Sequence, residues 1–233
     1  MPLGASRLSY LAHQEAAALG RTAVPIGVTG ARTSATISTS QSKFGGASGY
    51  FNNTELDITS PNFAFGTGDF TIEGWVYSEV AKNGGMFHLS TDPDYYPSSS
   101  GGLAIAPRVD NGNVWTIYKN GGVGSIGTCN LNTWYHVALS RSNGVIKFFV
   151  DGVEEYSAAD TNNYLGQYLF LGGYWTYEFR MNGYIDEFRI SNTARYTANF
   201  TPHTAPHVND ANTLLLIHMD GADGSTTFTD DIT

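Results

Sequence analysis

Charged side chains are scarce in this sequence, and most of those present are acidic. They make up 14% of the 233 residues, against roughly 25% in a typical soluble domain. Acidic residues number 21 and basic residues 12, which gives a formal net charge of −9. A negative surface repels phosphate backbones and anionic lipid headgroups, so this balance disfavours a protein that binds nucleic acid or a membrane surface.

Cysteine is almost absent as well. Cys129 is the only one, so the chain cannot form an internal disulfide. The lack of a disulfide framework is typical of proteins that fold in a reducing compartment. Cys129 lies in a turn region rich in glycine and asparagine, without the partners that a thiol nucleophile needs, and we expect it to have a packing role.

Long apolar runs are the third absence. No stretch approaches the roughly 20 apolar residues of a membrane-spanning helix, so we expect no membrane insertion. The first residues, MPLGASRLSYLAHQEAAALG, lack the cationic segment and continuous apolar core that mark a secretory signal peptide. We therefore expect a protein that is made in the cytoplasm.

Glycine and aromatic residues are abundant by comparison. The chain contains 27 glycines, and 13% of its residues are Phe, Trp or Tyr. Many turn residues and few charges suit a β protein whose exposed faces carry Ser, Thr, Asn and Tyr, and the aromatic content argues against disorder. A chain of this length can form one large β-sandwich with a substantial core.

The clearest pattern in the chain is NTWYHVALSRSNGVIKFFVDGVEEYS, at 132–157. Apolar and polar residues alternate over 135–140, and 145–150 is rich in β-branched and aromatic residues. Ser142–Gly144 and Asp151–Gly152 supply the tight turns between them. These features predict an antiparallel meander of three strands, which needs a second layer to cover its apolar face.

Shorter patterned segments flank this meander. Two strands separated by Gly45 and Gly46 are predicted within Thr33–Phe51, and a long strand is predicted at Phe70–Tyr77. Ser191–Phe200 is predicted to be a short helical or irregular turn. Further strands are predicted at Glu55–Ile58, Gly85–Ser90, Leu103–Arg108, Val114–Lys119, Tyr168–Leu171 and Tyr184–Ile190.

Three segments, in this order, resemble laminin-G-like domains of the concanavalin A-like lectin/glucanase superfamily. They are FGTGDFTIEGWVY at Phe65–Tyr77, WYHVALSR with IKFFVDG in the meander, and NGYIDEFRISNTARYT at Asn182–Thr197. The resemblance implies an all-β fold, a two-sheet antiparallel jelly-roll sandwich. It also implies that Trp75 lies in the core, whereas the alternation of its strand leaves either face open. Because the superfamily carries many functions, the fold alone does not give the function.

The first 32 residues lie outside this strand pattern. They allow a weak amphipathic helix that ends near Gly20 and is too short to persist without a docking surface. We predict an attachment arm at 1–32 and a sandwich at 33–233. The arm residues predicted to contact another subunit or a particle surface are Leu3, Leu8, Leu11 and Leu19.

The sandwich is predicted to include a C-terminal strand at 213–219. In the resembling proteins, the segment LLLIHMDGADGSTTFTDD typically opens a unit and precedes SKFGGAS, whereas here it lies at the other end, at Leu214–Asp231. It either supplies a strand to this sandwich or opens a neighbouring unit that is absent. The first alternative is favoured, because consecutive apolar residues at Leu214–Ile217 need burial.

Catalytic carboxylates at a useful spacing are missing. Relatives that hydrolyse polysaccharides carry acids at E-x-D-x-x-E spacing, which places an acid and a nucleophile on one face of a strand. No such triplet occurs here, and the adjacent pairs Asp186–Glu187 and Glu154–Glu155 are predicted to point to opposite faces. We therefore expect a protein that is not an enzyme.

Metal sites are not expected either. His203 and His207 are four residues apart, but Pro202 and Pro206 break the helix that would align them as ligands. We expect no cofactor, with calcium at oxygen-rich loops as an alternative. The weak calcium candidates are Asp92, Asp94 and Asp110, for which turn formation is the favoured role.

Loop aromatics give the strongest binding signal. Flat aromatic faces stack on sugar rings and lose little rotamer freedom on binding. A subunit interface or a cover for the sandwich edge would use the same residues. These glycan-binding or partner-binding candidates are Tyr95, Tyr96, Tyr174, Trp175 and Tyr177.

A second resemblance concerns the particle that would carry the domain. SKFGGAS at Ser42–Ser48, DEFRISNTARYT at Asp186–Thr197 and the C-terminal segment together resemble virion proteins of tailed bacteriophages. This implies a non-enzymatic virion structural protein, as a head decoration, spike or tail-fibre component on the virion surface. Its partners would be other virion proteins, including copies of itself. The alternative is a carbohydrate-binding adsorption module for host-surface glycans, and a glycoside hydrolase is a distant third.

Overall fold

The chain folds almost entirely into strands. In the computed structural model the described residues are 24–25, 35–82, 84–92, 102–108, 112–119, 122–173 and 179–232. Within them the helical residues are a 3-10 turn at Pro61–Phe63 and Phe179, and no helix is long and apolar enough to span a bilayer. The strands are β1 (Val24–Pro25), β2 (Thr36–Ser38), β3 (Ser48–Asn52), β4 (Leu56–Thr59), β5 (Phe70–Ser78), β6 (Phe87–Ser90), β7 (Leu103–Arg108), β8 (Val114–Lys119), β9 (Gly122–Ile126), β10 (Trp134–Ser142), β11 (Val145–Val150), β12 (Val153–Ala159), β13 (Tyr168–Leu171), β14 (Asn182–Ser191), β15 (Thr213–Ile217) and β16 (Thr229–Asp230).

The described strands form two antiparallel sheets that pack face to face. The eight-stranded sheet has the order β12-β11-β10-β5-β14-β3-β2, with β15 also paired to β14, and the six-stranded sheet has the order β4-β13-β6-β7-β8-β9. Strands β1 and β16 form a separate pair. The expected all-β, two-sheet antiparallel sandwich is therefore confirmed.

The core lies between the two sheets because each strand turns alternate side chains inward. From β5, Ile72 and Val76 enter this core. Rings from the two sheets meet there: Phe87 of β6 lies 6.0 Å from Phe188 of β14. Cys129 is also part of the core, and burial raises the pKa of its thiol to about 12, which confirms a packing role.

Trp75 occupies a different place from the one implied by the resemblance. It is buried, but it lies on the outer face of the eight-stranded sheet and does not contribute to the core between the sheets. Phe44 and His203 cover its ring, with centroids at 6.1 and 5.8 Å, and the Lys43 ammonium group lies 3.7 Å above it. The outer face around Trp75 is buried because connecting segments of the same chain cover it.

The meander forms as the sequence predicts, through β10, β11 and β12. Asn143 and Asp151, each followed by glycine, have φ values of 48° and 47°, so both turns use the left-handed region. A Cβ at Gly152 would lie 1.9 Å from the carbonyl oxygen of Phe200. That turn therefore requires glycine because another part of the chain approaches it closely.

The predicted C-terminal strand completes the eight-stranded sheet. Asn182–Ile185 of β14 pairs with β3, and Phe188–Ser191 pairs with β15 along the same edge. Strand β15 therefore lies next to β3, as the burial argument expected, and no absent neighbouring unit is needed to bury Leu215–Ile217. The arm residues Leu3, Leu8, Leu11 and Leu19 lie outside the described residues.

The structure contains three strands beyond the sequence-based expectation. Strands β1, β9 and β16 were not foreseen, because two-residue strands and a strand with two glycines carry little pattern. Residues 192–200 are irregular, which is one of the two alternatives predicted for Ser191–Phe200. There Tyr196 and Phe200 stack at 3.6 Å, and the Phe200 N–H donates to the Gly152 carbonyl group, which holds the segment without a helix.

We predict that deleting residues 213–233 will abolish cooperative unfolding and cause aggregation. The deletion exposes the Phe188–Ser191 edge of β14 together with apolar sheet surface. A milder change, Leu216→Ala, keeps the backbone pairing and should cost about 2–5 kcal/mol without aggregation. Urea unfolding and light scattering measure both effects, and a soluble deletion variant with an unchanged melting temperature would refute the prediction.

Candidate functional site

A buried carboxylate lies at the centre of the outer face of the eight-stranded sheet. Glu73 of β5 is fully buried between Ala138 of β10 and Arg189 of β14. Its Oε1 accepts hydrogen bonds from Arg189 Nε at 2.9 Å and from Arg189 Nη2 at 2.6 Å. Its Oε2 accepts one from the Tyr196 hydroxyl group at 2.7 Å and lies 3.3 Å from Nε2 of His136.

These contacts keep Glu73 ionised. Burial alone would raise its pKa, but the approach of the His136 imidazole and the charge of Arg189 outweigh it and hold the pKa well below the ordinary range. The carboxylate in turn acts on its neighbour: burial and the negative charge of Glu73 raise the pKa of Tyr196. A charge buried in this way is tolerated only with such partners.

A β-bulge in β14 changes the direction of the next acidic residues. Asp186 pairs with Trp75 and Arg189 pairs with Glu73, so two residues of β14 stand opposite Gly74 alone. Glu187, with φ of 51°, is one of those two. The prediction that Asp186 and Glu187 point to opposite faces is therefore wrong, because the extra residue brings both carboxylates to the covered outer face.

Both carboxylates hold covering segments in place. Oδ2 of Asp186 accepts hydrogen bonds from the backbone N–H groups of Lys43 and Phe44, at 2.7 and 3.1 Å. Glu187 accepts one from the His207 N–H at 2.7 Å and lies 2.9 Å from Nδ1 of His218. Burial raises the pKa of Asp186 to about 7, whereas the hydrogen bond to Glu187 raises that of His218.

The three motifs of the virion resemblance meet at this point. SKFGGAS binds Asp186 through its backbone, and the C-terminal segment binds Glu187 through His218. The carboxylate of Asp220 packs so closely on Gly45 that a Cβ there would lie 2.0 Å from it. The motifs thus share one structural junction, and their glycines and acids have packing roles there.

Three histidines gather on the same covered face. The rings of His203 and His207 lie 3.8 Å apart, and His136 lies 5.4 Å from His203. One ligand nitrogen from each ring lies within 4.8 Å of the other two. We expected no metal site because the prolines at 202 and 206 prevent a helix there. The irregular loop between these prolines nevertheless brings the rings together.

This network was missed by sequence reasoning, although a signal for it exists. Thr71, Glu73 and Trp75 alternate with apolar residues on β5, and His136 and Ser140 do so on β10. Polar residues at alternate positions are usual for an exposed face. What pattern alone cannot show is that residues 192–212 return over that face and bury it.

Most of the predicted binding residues lie outside the described part of the chain. This holds for Tyr95, Tyr96, Tyr174, Trp175 and Tyr177, and for the calcium candidates Asp94 and Asp110. Of the candidates, Asp92 is described: its backbone N–H donates to Oγ of Ser90 at 3.0 Å, and the turn-forming role of its side chain stays a prediction.

The residues that flank both aromatic segments are described: both segments begin at strands of the six-stranded sheet, and the second leads on to β14 of the eight-stranded sheet. The first loop leaves β6 and returns to β7, and the second leaves β13 and returns at Arg180, which bridges Gly173. Tyr168 pairs with Ser90 and Leu171 pairs with Phe87, so the loops start at opposite ends of neighbouring strands.

The outer face of the six-stranded sheet carries an apolar cluster of its own. Ala104 and Ala106 of β7 form it together with the half-buried rings of Tyr118 and Phe179. Phe179, the first described residue after the second aromatic segment, packs on this face. Beside it, the buried His88 ring lies 6.0 Å from Phe170, and burial lowers the His88 pKa to about 4.

The fold defines a lectin-like sandwich, and comparison with known families identifies it further. Residues 52–199 match the model of the concanavalin A-like lectin/glucanases superfamily, to which the chain therefore belongs. No curated protein sequence matches the chain significantly.

Several solved structures share this fold. A protein from Bacteroides ovatus that carries the name of a carbohydrate-binding protein gives a TM-score of 0.60 at 14% identity, over 85% of this chain and 58% of its own. Domain 4 of an extracellular GH43 arabinanase from Geobacillus stearothermophilus, solved with arabinotriose, gives 0.56 at 19% identity, over 74% and 82%. Trypanosoma rangeli sialidase gives 0.53 at 13% identity, over 84% and 38%. The chain thus spans only part of the first and third of these proteins.

We predict that Glu73→Gln will lower the free energy of unfolding by about 3–5 kcal/mol, because it leaves Arg189 buried without its anion. The control is Glu154→Gln, which removes a bridge to Lys147 whose side chains are 24% and 30% exposed. That change should cost less than about 1 kcal/mol. Urea unfolding at neutral pH measures both, and equal losses would contradict the assignment.

The contribution of Glu73 to the free energy of unfolding should depend on pH in a defined direction. The folded-state pKa of Glu73 is lowered, so its contribution is complete above the unfolded pKa of about 4.3 and is lost as the pH falls below it. The difference in stability between wild type and Glu73→Gln should therefore shrink on acidification.

Proposed function

We propose that this chain is a non-catalytic glycan-binding module whose site belongs to the six-stranded sheet. The observation that carries the proposal is that segments 93–101 and 174–178, which contain the candidate aromatic residues, both begin at strands of that sheet, β6 and β13. On the eight-stranded sheet, the chain's own segments cover the outer face around Glu73 and Trp75 and occupy the surface that a ligand would need there.

The composition of the second apolar cluster supports this assignment. Ala104 and Ala106 are buried, and the half-buried rings of Tyr118 and Phe179 pack on them and present flat apolar surface. Such a surface complements the apolar face of a sugar ring, while loop tyrosines and tryptophan supply further stacking area. Two proteins of similar fold also point to sugars: one is named for carbohydrate binding, and the other was solved with arabinotriose.

The placement of the acids supports a role without catalysis. Hydrolysis of a glycosidic bond needs two carboxyl groups that face the same bond. Glu73, Asp186 and Glu187 share a face, but their oxygens bind a guanidinium group, backbone N–H groups and a histidine under the covering segments. These acids therefore stabilise the fold.

Binding to a glycan array, followed by calorimetry with the best oligosaccharide, tests the proposal. We expect Trp175→Ala and Phe179→Ala to weaken binding at least about tenfold, which corresponds to 1.4 kcal/mol for the loss of a stacking ring. The control is Trp134→Ala, a half-buried aromatic residue on the eight-stranded sheet. Loss of binding in the control alone, or release of reducing ends from the bound oligosaccharide, would overturn the proposal.

A virion structural role is a second proposal, and it is compatible with the first. Its support is the resemblance of three motifs to those of tailed-phage proteins, and these motifs meet at Asp186 and Glu187. In this role the sandwich would face outward as a head decoration, spike or tail-fibre component, and residues 1–32 would attach it to other virion proteins, including copies of itself.

We predict that removing residues 1–20 will leave the melting temperature unchanged and abolish co-sedimentation with phage particles. None of the described strands includes these residues, and the first strand of the sandwich, β2, begins at Thr36. Wild-type occupancy of the truncated protein would show that the arm is not the anchor. The matched control is Val208→Ser, which changes an exposed apolar residue of the sandwich and should keep full occupancy.

A further inference from the structure

The histidine cluster under the covering segment contains buried nitrogens without hydrogen-bond partners. His136 is fully buried, and neither of its ring nitrogens makes a hydrogen bond. Nε2 of His207 is likewise buried and makes none, with the residue only 7% exposed. A neutral imidazole has one donor and one acceptor, and burying either without a partner costs free energy. Such nitrogens gathered in one place indicate a missing ligand.

The hydrogen bonds of His203 prepare it as a ligand. Its Nδ1 lies 2.5 Å from the carbonyl oxygen of Ala205, which fixes the proton on that nitrogen. Its Nε2 therefore carries a lone pair, which now accepts a hydrogen bond from the Trp75 indole at 2.9 Å. A ring N–H donated to a backbone carbonyl group is the usual support of a metal-binding histidine.

Glu73 adds a fourth donor at suitable distances. Its Oε2 lies 3.3 Å from Nε2 of His136 and 3.7 Å from Nε2 of His207. Neighbouring ligands of a tetrahedral zinc ion with bonds of roughly 2.0–2.1 Å are separated by about 3.3 Å. Hydrogen bonds from Arg189 and Tyr196 orient this carboxylate, as outer partners of a ligand do.

We propose that His136, His203, His207 and Glu73 form a closed transition-metal site, with Zn²⁺ as the fitting ion. Three imidazoles and one carboxylate are a donor set that zinc accepts, and four protein ligands without an open position make a structural site. The ion would join β5 and β10 to the segment at 203–207.

The charge around the cluster permits a cation. Oε1 of Glu73 accepts the hydrogen bonds of Arg189, whereas Oε2 faces the rings of His136 and His207. The carboxylate oxygen nearest the imidazoles is therefore not bound by the guanidinium group.

Binding requires a small closure of the cluster. The three ligand nitrogens lie within 4.8 Å of one another, so the widest pair must approach by at most about 1.5 Å to reach tetrahedral separations. His136 lies in the central strand β10, whereas His203 and His207 lie in an irregular segment outside the sheets. The ion would take the place of the Trp75 N–H at Nε2 of His203.

Titration of the untagged, chelator-treated full chain with Co²⁺ and Zn²⁺ tests the site. We expect one equivalent of Co²⁺ to give intense tetrahedral d–d bands that Zn²⁺ removes. Zinc at a hundredfold excess over its Kd should raise the Tm by about 5 °C or more. X-ray absorption of the zinc complex should show four N/O ligands at about 2.0–2.1 Å with imidazole scattering.

Single variants separate this site from adventitious binding. His203→Asn and His207→Asn should each weaken zinc binding at least about tenfold. The matched control, His88→Asn, changes an equally buried histidine on the other sheet and should bind as wild type does. The proposal is overturned if wild type shows no saturable tetrahedral bands, if the bands survive His203→Asn and His207→Asn, or if absorption shows six oxygen ligands. The absorption result does not depend on the folding of any variant.

Discussion

The ion pair between Glu73 and Arg189 is the interaction on which the arrangement of the eight-stranded sheet depends. The carboxylate lies in the middle of that sheet with no exposure to water, where an unpaired charge would be untenable. Its partners come from three places in the chain: β14 supplies Arg189, β10 supplies His136, and the covering segment supplies Tyr196. The pair therefore requires the covering segment to be present, and the segment requires the pair.

This dependence gives the two sheets different roles. An antiparallel sheet commonly has one face on the core and one in water. Here the central strands β5 and β14 of the eight-stranded sheet are buried on both faces, between the core and the segments at 39–47 and 192–212, whereas the edge strand β12 keeps an exposed face. Segments 93–101 and 174–178, which carry tyrosine and tryptophan, begin at strands of the six-stranded sheet, away from the ion pair.

A single extra residue organises the junction between the covering segments. Without the bulge at Glu187, strict alternation would turn that side chain into the apolar core. With it, Asp186 holds the loop at 43–44, and Glu187 holds both His207 and His218. The first and last parts of the sandwich are thereby fastened to the same strand, which places the C-terminal strand beside the first hairpin.

The sequence by itself determined the strands, since alternation at Tyr135–Ser140 and the turns at Asn143 and Asp151 are local and match the meander observed. It also determined that Leu214–Ile217 must be buried. Only the tertiary structure decided which face Trp75 occupies, where Glu187 points, and that His136 meets His203 and His207. All three placements depend on a bulge and on a segment that returns from more than 50 residues away along the chain. Local sequence patterns indicate the periodicity of a strand. The position of the segment that covers the strand depends on the long-range pairing of Glu73 with Arg189.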